Sequence, residues 1–137
     1  MVLNLQYEFA YTEKPTIPVR LTNGRWSVNT EALIDTGADI SLFDAELGHA
    51  LSIGSFQEMT YNIIGIGGSL HRIPCWWVPL SVLGPQGDLD LEPLKVGFVP
   101  GLAKTVGNLL GRDFLELVDL GLHHHPLPSR RLYLGRV

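Results

Sequence analysis

Asp35-Thr36-Gly37 is where the chain's residue types and spacing come closest to chemistry. An Asp followed by a hydroxyl and a glycine can present a carboxyl group at the lip of a tight loop. The run Ala32-Leu33-Ile34 before it reads as an apolar strand, and Ala38-Asp39-Ile40-Ser41 follows. A carboxylate delivered from the end of a buried strand has its proton affinity set by the protein around it. Alone the triplet says little, since chance supplies one in roughly one chain in twenty of this size. A plain turn, with Asp accepting backbone N–H bonds and Gly taking φ > 0, would account for an isolated copy.

The chemistry open to such an Asp is general acid–base hydrolysis, and it needs two carboxyl groups. One activates water while the other, protonated, polarises the scissile amide. Held about 3 Å apart they cannot both ionise cheaply, so they share a proton and titrate as a coupled pair. The sequence contains no second Asp-Ser/Thr-Gly, and 137 residues make one domain without room for a second lobe. The second Asp must then come from another copy, which a two-fold homodimer supplies by symmetry.

Two more segments stand in order behind the triplet. Asn62-Ile63-Ile64-Gly65-Ile66-Gly67-Gly68-Ser69 is glycine-dense, as any hairpin turn would be, and also suits a mobile lid whose backbone approaches a ligand closely. Asn108-Leu109-Leu110-Gly111-Arg112-Asp113-Phe114-Leu115 reads as a strand running into a helix. With Ala32 to Asp39, these segments resemble, in order, the signature, flap and brace of retropepsin-like aspartic peptidases, and the resemblance runs from about Ile17 to Leu117. It implies an all-β protomer: a retropepsin-like acid protease barrel or closed β-sheet domain, with a flap hairpin and one short helix near the C-terminus.

The same resemblance implies roles. Asp35 of each chain would form the acid–base pair, Thr36 would hydrogen-bond across the two-fold axis, and Gly37 would complete the catalytic loop and bind substrate backbone. Ala38, Asp39 and the flap residues Gly65, Ile66, Gly67 and Gly68 would bind an extended peptide as an added strand. Leu109, Leu110 and Gly111 would cradle the loop, and Arg112 would pair with Asp39 in a desolvated ion pair. The expected enzyme is an aspartic endopeptidase working as a homodimer on peptide or protein substrates, with no cofactor and no metal. A catalytically inactive dimer of the same fold, binding peptides or scaffolding an assembly, is the alternative.

Fifteen glycines and nine prolines cut the chain into short apolar runs of mostly period two. Strands are expected over residues 17–21, 25–28, 31–34, 58–64, 76–83, 89–99 and 131–137, a turn over 84–88, a helix over 112–120 and a loop over 123–128. Residues 1–137 are expected to form a single domain.

Charge and composition narrow the partners. A net charge of −4, with no basic cluster beyond Arg130-Arg131, argues against nucleic acid. Cys75 is the only cysteine, so no intrachain disulfide can form, and it reads as a small buried hydrophobe. The N-terminus lacks the pattern of a secretory signal, and no apolar run approaches the roughly 20 residues of a membrane span. A soluble, cytoplasmic protomer is expected.

Three rival features carry less. His123-His124-His125 could ligate a metal, but neighbours in one loop point apart and no other ligands stand at suitable spacing. Trp76-Trp77 could form a platform, although alternation along a strand would put at least one in the core or an interface. A monomeric enzyme pairing Asp35 with Asp113 or Asp119 is disfavoured, because both acids fall on the expected helix beneath the loop.

Overall fold

The structure is a computed structural model that describes residues 5–53, 60–64 and 70–136. In chain order its elements are β1 (Tyr7–Ala10), β2 (Thr16–Asn23), β3 (Trp26–Ile34), β4 (Leu42–Asp44), α1 (Ala45–Ala50), β5 (Thr60–Ile64), β6 (Leu70–Val78) and β7 (Leu80–Gly84). There follow β8 (Gly87–Asp90), β9 (Leu94–Val99), a 3₁₀ turn (Leu102–Lys104), β10 (Leu109–Leu110), α2 (Arg112–Leu115), β11 (Val118–His123) and β12 (Arg131–Arg136). Among the described residues the protein is all-β with two short helices. Among the described residues no helix is long and apolar enough to cross a membrane.

Period two builds the main sheet, whose order is β5-β6-β9-β4-β10-β3-β2-β7-β8. In β2 the side chains of Ile17, Val19 and Leu21 are fully buried while Thr16, Pro18 and Arg20 are half-buried on the other face. β2 and β3 form a long hairpin that closes at Asn23↔Trp26, where Gly24 takes the left-handed φ of 59°. Val78, Leu80, Val82, Leu89, Val96 and Phe98 extend the same core, and Leu132 and Leu134 reach it from a second sheet of order β1-β12-β11.

Several sequence expectations change. The run 76–83 is two strands, β6 and β7, parted at Pro79, which has no N–H for a ladder and whose carbonyl instead accepts from Thr22 N at 3.2 Å. The run 89–99 is likewise broken before Pro93, whereas 25–28 and 31–34 join into the single strand β3. The helix expected over 112–120 is only Arg112–Leu115. Phe114 and Val118 sit at helical spacing, but Val118, Leu120 and Leu122 also alternate, and pairing with β12 decides for a strand.

Trp76 and Trp77 are both exposed, at 36% and 57%. β6 buries Ile73 and Cys75 on one face and Val78 on the other, so the strand changes its buried face at the two tryptophans and covers neither.

Candidate active site

Asp35 is the first residue past β3, and its position is set from below by two residues of β10. Leu109 and Leu110 pair in parallel with Leu33 and Ile34, while Leu109 also faces Leu42 of β4 in antiparallel fashion. Leu33 N donates to Asn108 O at 2.8 Å and Asp35 N to Leu110 O at 2.9 Å. Leu109 and Leu110 are buried, so the backbone of the loop rests on apolar side chains excluded from water. The brace expected from the sequence is thus a strand wedged between the two limbs of the Asp35 loop.

Gly111 is the point of closest approach. A Cβ there would lie 2.7 Å from the carbonyl oxygens of both Ala38 and Ile40, so only glycine lets the brace pass under the loop. Arg112 N donates to Ala38 O at 2.8 Å and Gly111 N to Ser41 Oγ at 3.1 Å. Within the loop, Gly37 N donates to Asp35 Oδ1 at 2.9 Å and Ala38 N to Asp35 O at 3.2 Å. The first of these orients the carboxyl, and the second closes the loop's turn on the backbone.

Asp35 is half-buried, and Thr36, Gly37 and Asp39 are exposed on the same lip. Arg112 and Asp39 do form the expected ion pair, but it is not desolvated, their side chains being 58% and 65% exposed. A solvated pair of this kind holds the loop's outer edge with little net energy.

Ser41 and Asp113 were not singled out from the sequence as supports. Ser41 is fully buried, and both its hydroxyl and its amide donate to the Asp113 carboxylate, at 2.8 and 3.0 Å. Asp113 is therefore spent on the brace and does not stand opposite Asp35. Asp119, the other same-chain candidate, lies on β11 across from Gly135. Asn108 adds a second clamp, its amide donating to Thr30 Oγ1 and Glu31 O at 3.0 Å and its oxygen accepting from Asp44 N at 2.9 Å. A serine isolated between Ile40 and Leu42-Phe43, and an Asn just ahead of Leu-Leu, were the available signals.

The Asn62 to Ser69 hairpin has its arms in β5 and β6, paired from Thr60↔Pro74 to Ile64↔Leu70. Gly65, Ile66, Gly67 and Gly68 lie outside the described residues. The β6 arm is anchored beside the loop: Ile73 is buried over Gly97, where a Cβ would lie 2.5 Å from Ile73 Cδ1 and 2.8 Å from Leu42 Cδ2. A surface cavity of about 580 Å³ lined by Asp90, Leu91, Glu92, Pro93, Glu116, Leu117 and Arg136 includes no residue of the Asp35 loop.

The histidine run does not assemble a metal site: among the described residues no three His, Cys, Asp or Glu side chains gather to hold an ion. His124 Nδ1 and Tyr11 Oη instead lie 2.8 Å apart in a hydrogen bond, and His123 packs edge-on against Tyr133.

Residues 17–114 match the aspartyl protease family. The Gag-Pol polyprotein of Rous sarcoma virus subgroup C (strain Prague) is 30% identical over 127 residues, which cover 88% of this chain and 8% of that protein. The Gag polyprotein of Rous sarcoma virus subgroup B (strain Schmidt-Ruppin) is 30% identical over 127 residues, covering 88% of this chain and 18% of its own length. The Gag polyprotein of avian leukosis virus subgroup A (isolate RSA) is similar at 29% identity over the same length. The chain thus spans less than a fifth of these relatives.

Proposed function

The chain belongs to the retropepsin-like aspartic peptidases, and from that premise we propose that it is an endopeptidase whose catalytic pair is one Asp35 from each of two copies. A single observation carries the reading: Asp35 sits on a loop braced by β10, and the acids beside it are engaged elsewhere, Asp113 with Ser41 and Asp39 with Arg112. A carboxyl so positioned has half of the required chemistry.

In the reaction an extended peptide lies over the two loops. The ionised Asp35 takes a proton from a water molecule as its oxygen attacks the scissile carbonyl carbon, and the protonated Asp35 of the partner gives its proton to the carbonyl oxygen. The tetrahedral intermediate then collapses: the C–N bond breaks, the departing nitrogen receives a proton from Asp35, and a hydroxyl of the intermediate gives its proton to the partner's carboxylate as the new carboxyl group forms, so the pair returns to one shared proton. Thr36 hydrogen-bonds across the axis and keeps the two loops in register. Gly37, Ala38 and Asp39 bind substrate backbone from below and the hairpin residues 65–68 from above.

The test is cleavage of a peptide library by the purified chain from acidic to neutral pH, with Asp35→Asn beside it, while sedimentation reports the oligomer. Cleavage that Asp35→Asn abolishes, and that rises with dimer concentration, is the expected result. A dimer without Asp35-dependent cleavage would favour the non-catalytic peptide-binding alternative, and an active monomer would end the shared-dyad reading.

A further inference from the structure

Resting on that reading, we infer that Asn108 is a positioning residue for Asp35, its side-chain amide standing in for a peptide group that β10 is too short to supply. β10 pairs with β3 at two positions, Leu109↔Leu33 and Leu110↔Ile34, but with β4 at one only, Leu109↔Leu42. β3 and β4 are the two limbs from which the Asp35 loop springs. Their spacing sets where the carboxyl stands.

Asn108 continues the ladder on both sides. Its backbone carbonyl accepts from Leu33 N at 2.8 Å, and its side chain reaches further along each limb. Toward β3 the Nδ2 group donates to Glu31 O and Thr30 Oγ1, both at 3.0 Å. Toward β4 the Oδ1 atom accepts from Asp44 N at 2.9 Å. These partners fix which way round the amide lies, because Asp44 N can only donate and Glu31 O can only accept. One planar group therefore spans the incoming and outgoing limbs, as a backbone peptide does between its neighbours in a sheet.

Few side chains could replace it. An aspartate has the same shape but, when ionised, no proton to give Glu31 O; glutamine carries the amide one carbon too far; serine offers one oxygen where two separate groups are needed. Asp44 is buried, so losing Asn108 would leave its amide without this acceptor in a dry site. The effect reaches Asp35 through β10, whose Leu110 carbonyl accepts from Asp35 N at 2.9 Å. The ionisable residues around the amide are Glu31 on β3, Asp44 on β4 and Lys104 on the 3₁₀ turn, whose charge acts on Asp44.

The test is peptide cleavage from acidic to neutral pH by the full chain as wild type, Asn108→Ala and Asn108→Asp, each shown folded by circular dichroism and dimeric by sedimentation at every pH used. Asn108→Ala should lose about tenfold or more in kcat with KM within about twofold of wild type, because a misplaced carboxyl costs rate and not affinity. Asn108→Asp should resemble it near neutral pH and recover as pH falls, since a protonated carboxyl again offers a donor and an acceptor in the amide's shape. The ratio of Asn108→Asp to wild-type kcat should therefore climb roughly fivefold or more toward acid. A role confined to holding the fold would leave that ratio flat. Wild-type kcat near neutral pH in either folded variant, or a flat ratio at any level, would overturn the positioning role and leave the shared dyad standing. Should Asn108→Ala fail to fold, Asn108→Asp carries the test by itself. A wild-type dimer without Asp35-dependent cleavage would overturn the peptidase reading and this role with it.

Discussion

Ser41 and Asp113 are joined at two points, the serine hydroxyl donating to one carboxylate oxygen at 2.8 Å and the serine amide to the other at 3.0 Å. The same hydroxyl accepts from Gly111 N at 3.1 Å, so one buried side chain ties the outgoing limb of the Asp35 loop to the brace and to the first turn of α2. Ser41→Ala strands the Gly111 amide in a dry site and should cost about 1–3 kcal/mol of stability. Asp113→Ala should cost a similar amount, and the double variant less than the sum, because both single changes break the same unit. Urea denaturation of the four proteins measures the coupling, and strict additivity would count against the clasp.

Gly111→Ala should harm the site more than its single methyl suggests. The added carbon meets two backbone oxygens, which cannot rotate away as a side chain end could. Overpacking of this kind costs roughly 1–3 kcal/mol, and here the strain falls on the loop that carries Asp35. Thermal denaturation should show the loss, and peptide cleavage should fall further than the unfolded fraction explains. Equal losses in both would mean that the loop had not moved.

Asp44 gives the protein an acid-sensitive joint. Its carboxylate accepts from Ala103 N at 2.8 Å and from Glu46 N at 2.9 Å, capping α1 and holding the 3₁₀ turn. The Ala103 and Glu46 amides hold the carboxyl below its ordinary range, with help from Lys104 and against the opposing effect of burial. A group depressed in the folded state binds more protons when unfolded, so its stabilisation is complete above the unfolded pKa and is lost as pH falls through the folded one. Wild type should therefore lose more stability between about pH 5 and pH 3 than Asp44→Asn, whose amide does not ionise. Parallel pH slopes for the two would remove Asp44 from this account.

The Arg112 and Asp39 pair should matter little to the isolated protomer. Both side chains are more than half exposed, and exposed pairs contribute about 0–1 kcal/mol. A double-mutant cycle with Arg112→Gln and Asp39→Asn at low protein concentration should give a coupling in that range, shrinking with salt. A coupling of several kcal/mol would restore the desolvated pair expected from the sequence.

Cys75 should be silent. It is fully buried on β6, and burial pushes its thiol up against a smaller pull from Lys95. Alkylating reagents near neutral pH should label it only after unfolding. Rapid labelling of the native protein would show that the Ile73 and Cys75 face of β6 opens.

The parts of this architecture that were legible in the sequence are those where one local signal met no rival. β2 alternates cleanly, the Gly84 to Asp88 turn closes a hairpin at Gly84↔Gly87, and Leu109 and Leu110 lie against the strand before Asp35 as the family resemblance implies. The rest depended on partners distant in sequence. Val118 to Leu122 satisfies both a helical and a strand period, and only β12 decides between them. Trp76 and Trp77 escape alternation because β6 changes its buried face between Cys75 and Val78. Asp113 reads as a helix acid beneath the loop, and its tie to Ser41, 72 residues earlier, belongs to the fold alone.

β10 is two residues long, yet nothing before it in the chain can do its work. The loop limb at Ser41 meets Gly111 only across 70 residues of sequence. A chain emerging from the ribosome therefore carries Asp35 through a further 70 or so residues of synthesis before the loop has a floor, and that long-range contact must wait until Leu109 to Gly111 are made. Any fragment ending before Leu109 holds Asp35-Thr36-Gly37 but lacks the strand that braces it. The order of manufacture thus gives the cell an interval in which a potential hydrolase is safely unfinished.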